Sequence, residues 1–96
     1  KDGGIIYKIP LDDILYITRD SIDRKSIIVT DYQEFKVGKT LTEISGMLNG
    51  NFVQTHRACF VNKKRVVSFN KHQKIITFDN GTSTDLISAR FDKELI

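Results

Sequence analysis

His56 and Arg57 stand between two apolar, strand-like segments, one opening with Phe52-Val53 and the other Cys59-Phe60-Val61, and the run Asn62-Lys63-Lys64-Arg65 follows directly. Apolar residues on both sides anchor such a segment in a core. The polar pair between them must then point outward at a fixed place. Arginine suits that place for gripping guanine edges or phosphates, because its planar fork donates two parallel hydrogen bonds. Covalent chemistry is poorly served. On a strand, His56 and Cys59 lie three positions apart and face opposite sides, so a dyad would need a break in the strand. Asp12-Asp13 precedes an apolar strand and suits a turn or cap better than paired acid and base work. Two histidines and one cysteine lack the spacing of a zinc site. Gly3-Gly4 and Gly81 are isolated and form no phosphate-cradling loop. The expectation is a non-enzyme with no metal and no cofactor. Cys59 reads as a small buried hydrophobe, and His72 as an exposed turn residue.

Holding such a pair in place falls to short runs rich in Ile, Val, Phe, Tyr and Thr, separated by turn residues. Gly4 to Ile9 reads as a strand stopped by Pro10, Leu11 to Asp13 as a turn or single helical turn, and Ile14 to Arg19 as a second strand. Asp20 to Arg24 is a polar loop. Lys25 to Thr30 and Tyr32 to Val37 predict a hairpin around Thr30-Asp31, and Arg65 to Asn70 with Gln73 to Asp79 another. Asn80-Gly81 predicts a type I′ turn, with Ser83 to Ser88 as the returning strand. One short helix is expected near residues 40–49. Thr40-Leu41-Thr42-Glu43 fits a capping box, Leu41, Ile44 and Leu48 share a face, and Gly50 is placed to end it. A helix so short and one-sided should lie on a sheet as a lid rather than read a groove. Phe91 to Leu95 predicts a last helical turn. The expected fold is mainly β, with short antiparallel strands in small sheets and that one helix, in a single domain spanning residues 1–96.

The chain has 96 residues, 40% of them hydrophobic and 28% charged, which is the composition of an ordinary globular domain. No apolar run approaches the roughly 20 residues of a membrane span. A lone cysteine suits a reducing cytoplasm. The chain opens with Lys1 and its only methionine is Met47, so a fragment of a longer protein is expected. The net charge of +3 is unevenly shared: residues 1–50 carry 7 basic and 8 acidic residues, and residues 51–96 carry 8 and 4. The second half is the better face for a polyanion.

Three segments resemble the LytTR DNA-binding domain. Asp13-Ile14-Leu15-Tyr16-Ile17 is similar to the family's early strand. Thr40 to Ile44, then Leu48, Phe52, Thr55-His56-Arg57 and Phe60-Val61-Asn62, resemble its central signature. Asp79-Asn80-Gly81, Ile87-Ser88-Ala89-Arg90 and Lys93-Glu94-Leu95 resemble its closing segment. The resemblance implies a bacterial transcriptional regulator that reads the major groove of double-stranded promoter DNA through loops. It implies an output domain of a two-component response regulator, behind an upstream receiver domain, binding as two copies on repeated half-sites.

Carried over by position, Arg57 is the leading candidate for a base contact and Arg90 the next. His56 would touch the DNA backbone or support the loop, Ser88 would donate to a phosphate, and Lys93 would sit near one. In the loop before the first hairpin, Arg24 and Lys25 are candidates, although the charges of Asp20 and Asp23 would repel phosphate. Lys63 and Lys64 would add non-specific attraction, with Asn62 shaping their turn. The chain departs from the family's pattern at Ala58, where a serine is frequent, and at Thr18-Arg19, where a glutamate is common. Two other readings remain open at this point: a single-strand or RNA-binding β domain, which needs exposed aromatics on a sheet face, and a non-catalytic β interaction module. Most of the aromatic residues sit at alternating positions that point to a core.

Overall fold

The first sheet is covered on both faces, so its central strands are near-continuous apolar runs, Ile14-Leu15-Tyr16-Ile17 and Ile27-Ile28-Val29, and a bulge decides which side chains meet which layer. Strand β1 (Ile14–Arg19) pairs antiparallel with β2 (Ser26–Thr30) on one side and β5 (Cys59–Asn62) on the other. The outer strands are β3 (Glu34–Val37) and β4 (Phe52–His56), giving the order β3-β2-β1-β5-β4. A bulge between Ile14 and Tyr16 resets the alternation. Leu15 and Tyr16 therefore face the same side, while Ile14 and Ile17 face the other. The computed structural model describes residues 8–88.

Each face is covered by a different layer. Leu15, Val29, Cys59 and Val61 pack against Ile76, Phe78 and Ile87 of the second half. That half forms a three-stranded sheet, β6 (Val66–Asn70), β7 (Ile75–Phe78) and β8 (Ser83–Thr84). On the opposite face, Ile14, Ile17 and Ile28 pack against Leu41 and Ile44 of the single helix, α1 (Leu41–Ser45). Its capping box forms as its sequence predicts, with the Glu43 amide donating to the Thr40 hydroxyl at 3.2 Å and the Thr40 amide to the Glu43 carboxylate at 2.8 Å. Those bonds hold the Glu43 carboxyl below the usual carboxylate range.

The helix is shorter than expected, stopping at Gly46 rather than Gly50. The Met47 and Leu48 amides donate only three residues back, to Ile44 and Ser45, so the chain tightens and leaves the helix. Leu48 still reaches the apolar face. The returning strand is also shorter than Ser83 to Ser88, because Asp85 to Ser88 turn away from β7 and bond to β4 instead. The Asn80-Gly81 turn is not type I′, which needs positive φ at both residues. Only Gly81 is left-handed, at φ +91°. Its amide donates to Phe78 while the Phe78 amide donates to Thr82, closing a three-residue loop. The expected strand at Gly4 to Ile9 and the last turn at Phe91 to Leu95 fall mostly or wholly outside the described residues, and Lys8 and Ile9 are not in a strand.

One side chain ties the two sheets together. Arg65 ends the 3-10 turn Lys63–Arg65 between them. Its guanidinium donates to Asp31 in the β2–β3 turn at 2.8 Å, to Asp79 in the β7–β8 loop at 2.6 Å, and to the Asp12 carbonyl at 2.9 Å. Asn62, 1% exposed, shapes that turn by accepting from the Lys64 amide, and its own amide group donates to the Ile14 carbonyl at 2.9 Å.

Candidate nucleic-acid interface

The β4–β5 connection is a two-residue turn, with His56 paired to Cys59 and Arg57-Ala58 at the tip. Arg57 is exposed there. The Ala58 amide donates to His56 Nδ1 at 3.1 Å, so the half-buried imidazole braces the tip. The Ala58 carbonyl accepts from the Arg19 amide and the Thr18 hydroxyl, each at 3.0 Å, which fastens the tip to the end of β1. Cys59 is fully buried, and burial pushes its thiol up to about 12, against a smaller opposing pull from a hydrogen bond with Thr55. It packs in the core beside Leu15, Val61 and Phe78.

A bulge at Thr55 connects this tip to the closing segment. Gln54 pairs with Phe60 and His56 with Cys59, leaving Thr55 as the extra residue. Its fully buried hydroxyl donates to the Leu86 carbonyl at 2.8 Å, and its carbonyl accepts from the Ser88 amide at 2.9 Å. The strand that leads to Arg57 therefore also holds Leu86 and Ser88 of the closing segment. Sequence reading took Thr55 only as part of a signature. Ser88 is half-buried, with its backbone in this contact. Arg90 and Lys93 lie outside the described residues.

The loop between β1 and β2 is more ordered than its polar sequence implies. The Asp20 carboxylate accepts from the Ile22 amide at 2.8 Å, and that of Asp23 from the Lys25 amide at 3.1 Å. The Asp20 amide donates to the Lys25 carbonyl and the Arg24 amide to the Asp20 carbonyl. Arg24 sits at φ +62°, a conformation costing a non-glycine residue on the order of 1–2 kcal/mol, which these bonds sustain. Lys36 from β3 bridges both carboxylates, at 3.3 Å to Asp20 and 2.6 Å to Asp23. The Ile22 amide chiefly, and Lys36, hold Asp20 below the usual carboxylate range; for Asp23 the Lys36 bond is the leading cause. The expected repulsion of phosphate by these aspartates is reduced, because Lys36 balances one of the two charges and Arg19, Arg24 and Lys25 leave this stretch net positive.

Arg19, Arg24 and Arg57 converge on one open concavity of about 430 Å³ between the sheet and α1, with Gln54 and Phe60 among its lining residues. Three separate chain segments deliver them: the end of β1, the β1–β2 loop and the β4–β5 tip. None has a carboxylate partner among the described residues. Arg19 joins the candidates here; in sequence it stood out only as a departure from a family pattern. Lys25 is half-buried in its loop. Lys63 and Lys64 are not brought to this concavity. They follow the far end of β5, roughly 14 Å of strand from the tip at about 3.4 Å per residue, and Lys64 pairs loosely with Asp12 at 3.5 Å.

Among the described residues no His, Cys, Asp or Glu grouping could hold a metal, and no helix is long and apolar enough to cross a membrane. The fold is similar to a solved LytTr DNA-binding domain from Bacillus cereus, with a TM-score of 0.75 and 19% identity, over 90% of this chain and 80% of that one. No curated protein matches the chain. The family model of the LytTr DNA-binding domain matches residues 4–96. LytTR domains are non-catalytic modules that bind DNA and occur in bacterial response regulators with receiver domains. This chain belongs to the LytTR DNA-binding domain family.

Proposed function

We propose that the domain binds double-stranded promoter DNA sequence-specifically, reading major-groove base edges with arginines on loops and a hairpin tip. The observation that carries this reading is the convergence of Arg19, Arg24 and Arg57, none of them paired to a carboxylate among the described residues. Arg57 contacts a guanine through O6 and N7, and Arg24 and Arg90 serve neighbouring positions. Arg19, Lys25, Ser88 and Lys93 contact phosphates beside them, and His56 braces the tip. Lys63 and Lys64 add weaker, sequence-independent attraction from the flank. The domain works in the cytoplasm behind a receiver domain, with two copies on repeated half-sites.

The single-strand reading has little support. Tyr16, Phe35, Phe52, Phe60, Phe69 and Phe78 belong to or pack against the two core clusters. Among the described residues Tyr32 is the exposed aromatic, which makes no stacking platform. The test is a titration of labelled duplex DNA at several salt concentrations. Log K should fall linearly with log salt, with a slope of about −2 or steeper as phosphates are engaged. Binding that ignores salt would contradict the reading.

A further inference from the structure

We infer that Ile22 is a specificity-determining residue that reads the C5-methyl group of a thymine in the major groove. The inference rests on the DNA reading above and adds a base contact of different chemistry. Ile22 is 91% exposed, more than any other large hydrophobic among the described residues. Single exposed apolar residues are common and need no explanation by themselves. The setting of this one is what matters. It lies in a polar loop between Asp20 and Asp23, whose two carboxylates are turned onto backbone amides and Lys36. The Ile22 amide is itself one of the fixed points, at 2.8 Å from Asp20.

The side chain is therefore displayed from a restrained backbone, and its β-branch limits χ1 further. Little freedom remains to be lost on contact. The two ends of the same loop, Arg19 and Arg24, line the concavity with Arg57. A face that brings three guanidinium groups to DNA brings this loop with it. In the major groove, the apolar group a base pair offers is the thymine methyl, which an aliphatic side chain contacts without competing for a hydrogen bond. Lys36 offsets one of the two loop carboxylates, and with Arg19, Arg24 and Lys25 beside them the loop carries net positive charge toward a polyanion.

The experiment uses the whole chain and a duplex carrying its preferred site, obtained by selection. Each thymine is replaced in turn by deoxyuridine, which deletes the methyl and keeps every hydrogen-bonding group. Affinity is measured for the parent and for Ile22→Ala, a change expected to leave the fold intact because the residue is 91% exposed. One thymine should show a loss of about fourfold in the parent, the fold-change equivalent of ~0.8 kcal/mol for one buried methyl. In Ile22→Ala that same replacement should cost nothing. If no thymine is sensitive, or the penalty persists undiminished in Ile22→Ala, the inference falls while the DNA reading stands. If the parent selects no site from duplex DNA, both fall together.

Discussion

Arg65 and Arg57 are both arginines at the ends of β-strands, and the fold gives them opposite surroundings. Arg65 is 16% exposed and meets two carboxylates and a carbonyl, so its charge is matched inside the protein. Its guanidinium is held charged, raised above even its ordinary value by the bonds to Asp79 first and Asp31 second. Arg57 stands at an exposed turn with Arg19 and Arg24 nearby and no carboxylate of its own among the described residues. The same side chain thus serves as a clasp between sheets in one place and as an unmatched charge in another. What separates the two is whether the topology brings aspartates from distant turns. Asp31 and Asp79 are 34 and 14 residues from Arg65. Like-charged groups gathered without counter-ions are tolerated at a surface when a polyanion supplies the balance.

The largest expected effect separates the two arginines by what each loss damages. Arg57→Ala should weaken binding to the preferred site by about 1–3 kcal/mol and relax the preference at one base position. Its melting temperature should match the parent's, since an exposed substitution away from packing changes stability by about 0.5 kcal/mol or less. Arg65→Met should do the reverse. It should cost about 1–2 kcal/mol of stability: the roughly 1.5–3 expected of charged hydrogen bonds, reduced by solvent screening at half-exposed Asp79. Denaturant unfolding gives that number, and the base preference of the folded variant should be unchanged. A variant at either position that altered both properties would erase the distinction.

Acid sharpens the contrast further. Asp79 is held below the usual carboxylate range by Arg65, and Asp20 and Asp23 by their amide bonds and Lys36. A carboxylate with a lowered folded value stabilises the fold above its unfolded value, and that contribution is lost as pH falls through the folded one. These groups should leave the melting temperature flat from about pH 8 to about pH 5 and depress it below about pH 4. The depression should be shallower in Arg65→Met, where Asp79 has no partner to lose. Thermal melts across that range decide it. The smallest effect belongs to Lys63→Ala, far along β5 from the tip. All duplex sequences should weaken evenly, with a salt slope shallower by at most about one.

Local signals were legible in the residues, and long-range ones were not. The capping box at Thr40 and Glu43, the β1 strand, the burial of Cys59 and the turn role of Asn62 each depend on neighbours in sequence, and each stands in the fold. The exposed tip position of Arg57 was legible because apolar segments on both sides fix the strands that flank it. The helix end was misjudged because Gly46, a weak helix former before a non-periodic stretch, stops the chain a turn earlier than Gly50. Asp85 to Ser88 leave their expected strand for Thr55, more than 30 residues away, and nothing local announces that bond. Likewise the acidity of Asp20 and Asp23 counted against Arg24 and Lys25 because Lys36, which offsets one of the two charges, approaches from another strand. Arg65 read as the end of a basic run and the start of a strand, and nothing beside it in sequence shows its bonds to Asp31 and Asp79.

The most direct test of the central claim is selection from a random double-stranded DNA library, with the parent and Arg57→Ala side by side at two salt concentrations. The account predicts an enriched motif for the parent that persists at the higher salt, and loss of preference at one position of that motif in Arg57→Ala. Recovery of DNA without any enriched motif, vanishing as salt rises, would contradict it and leave only a basic surface.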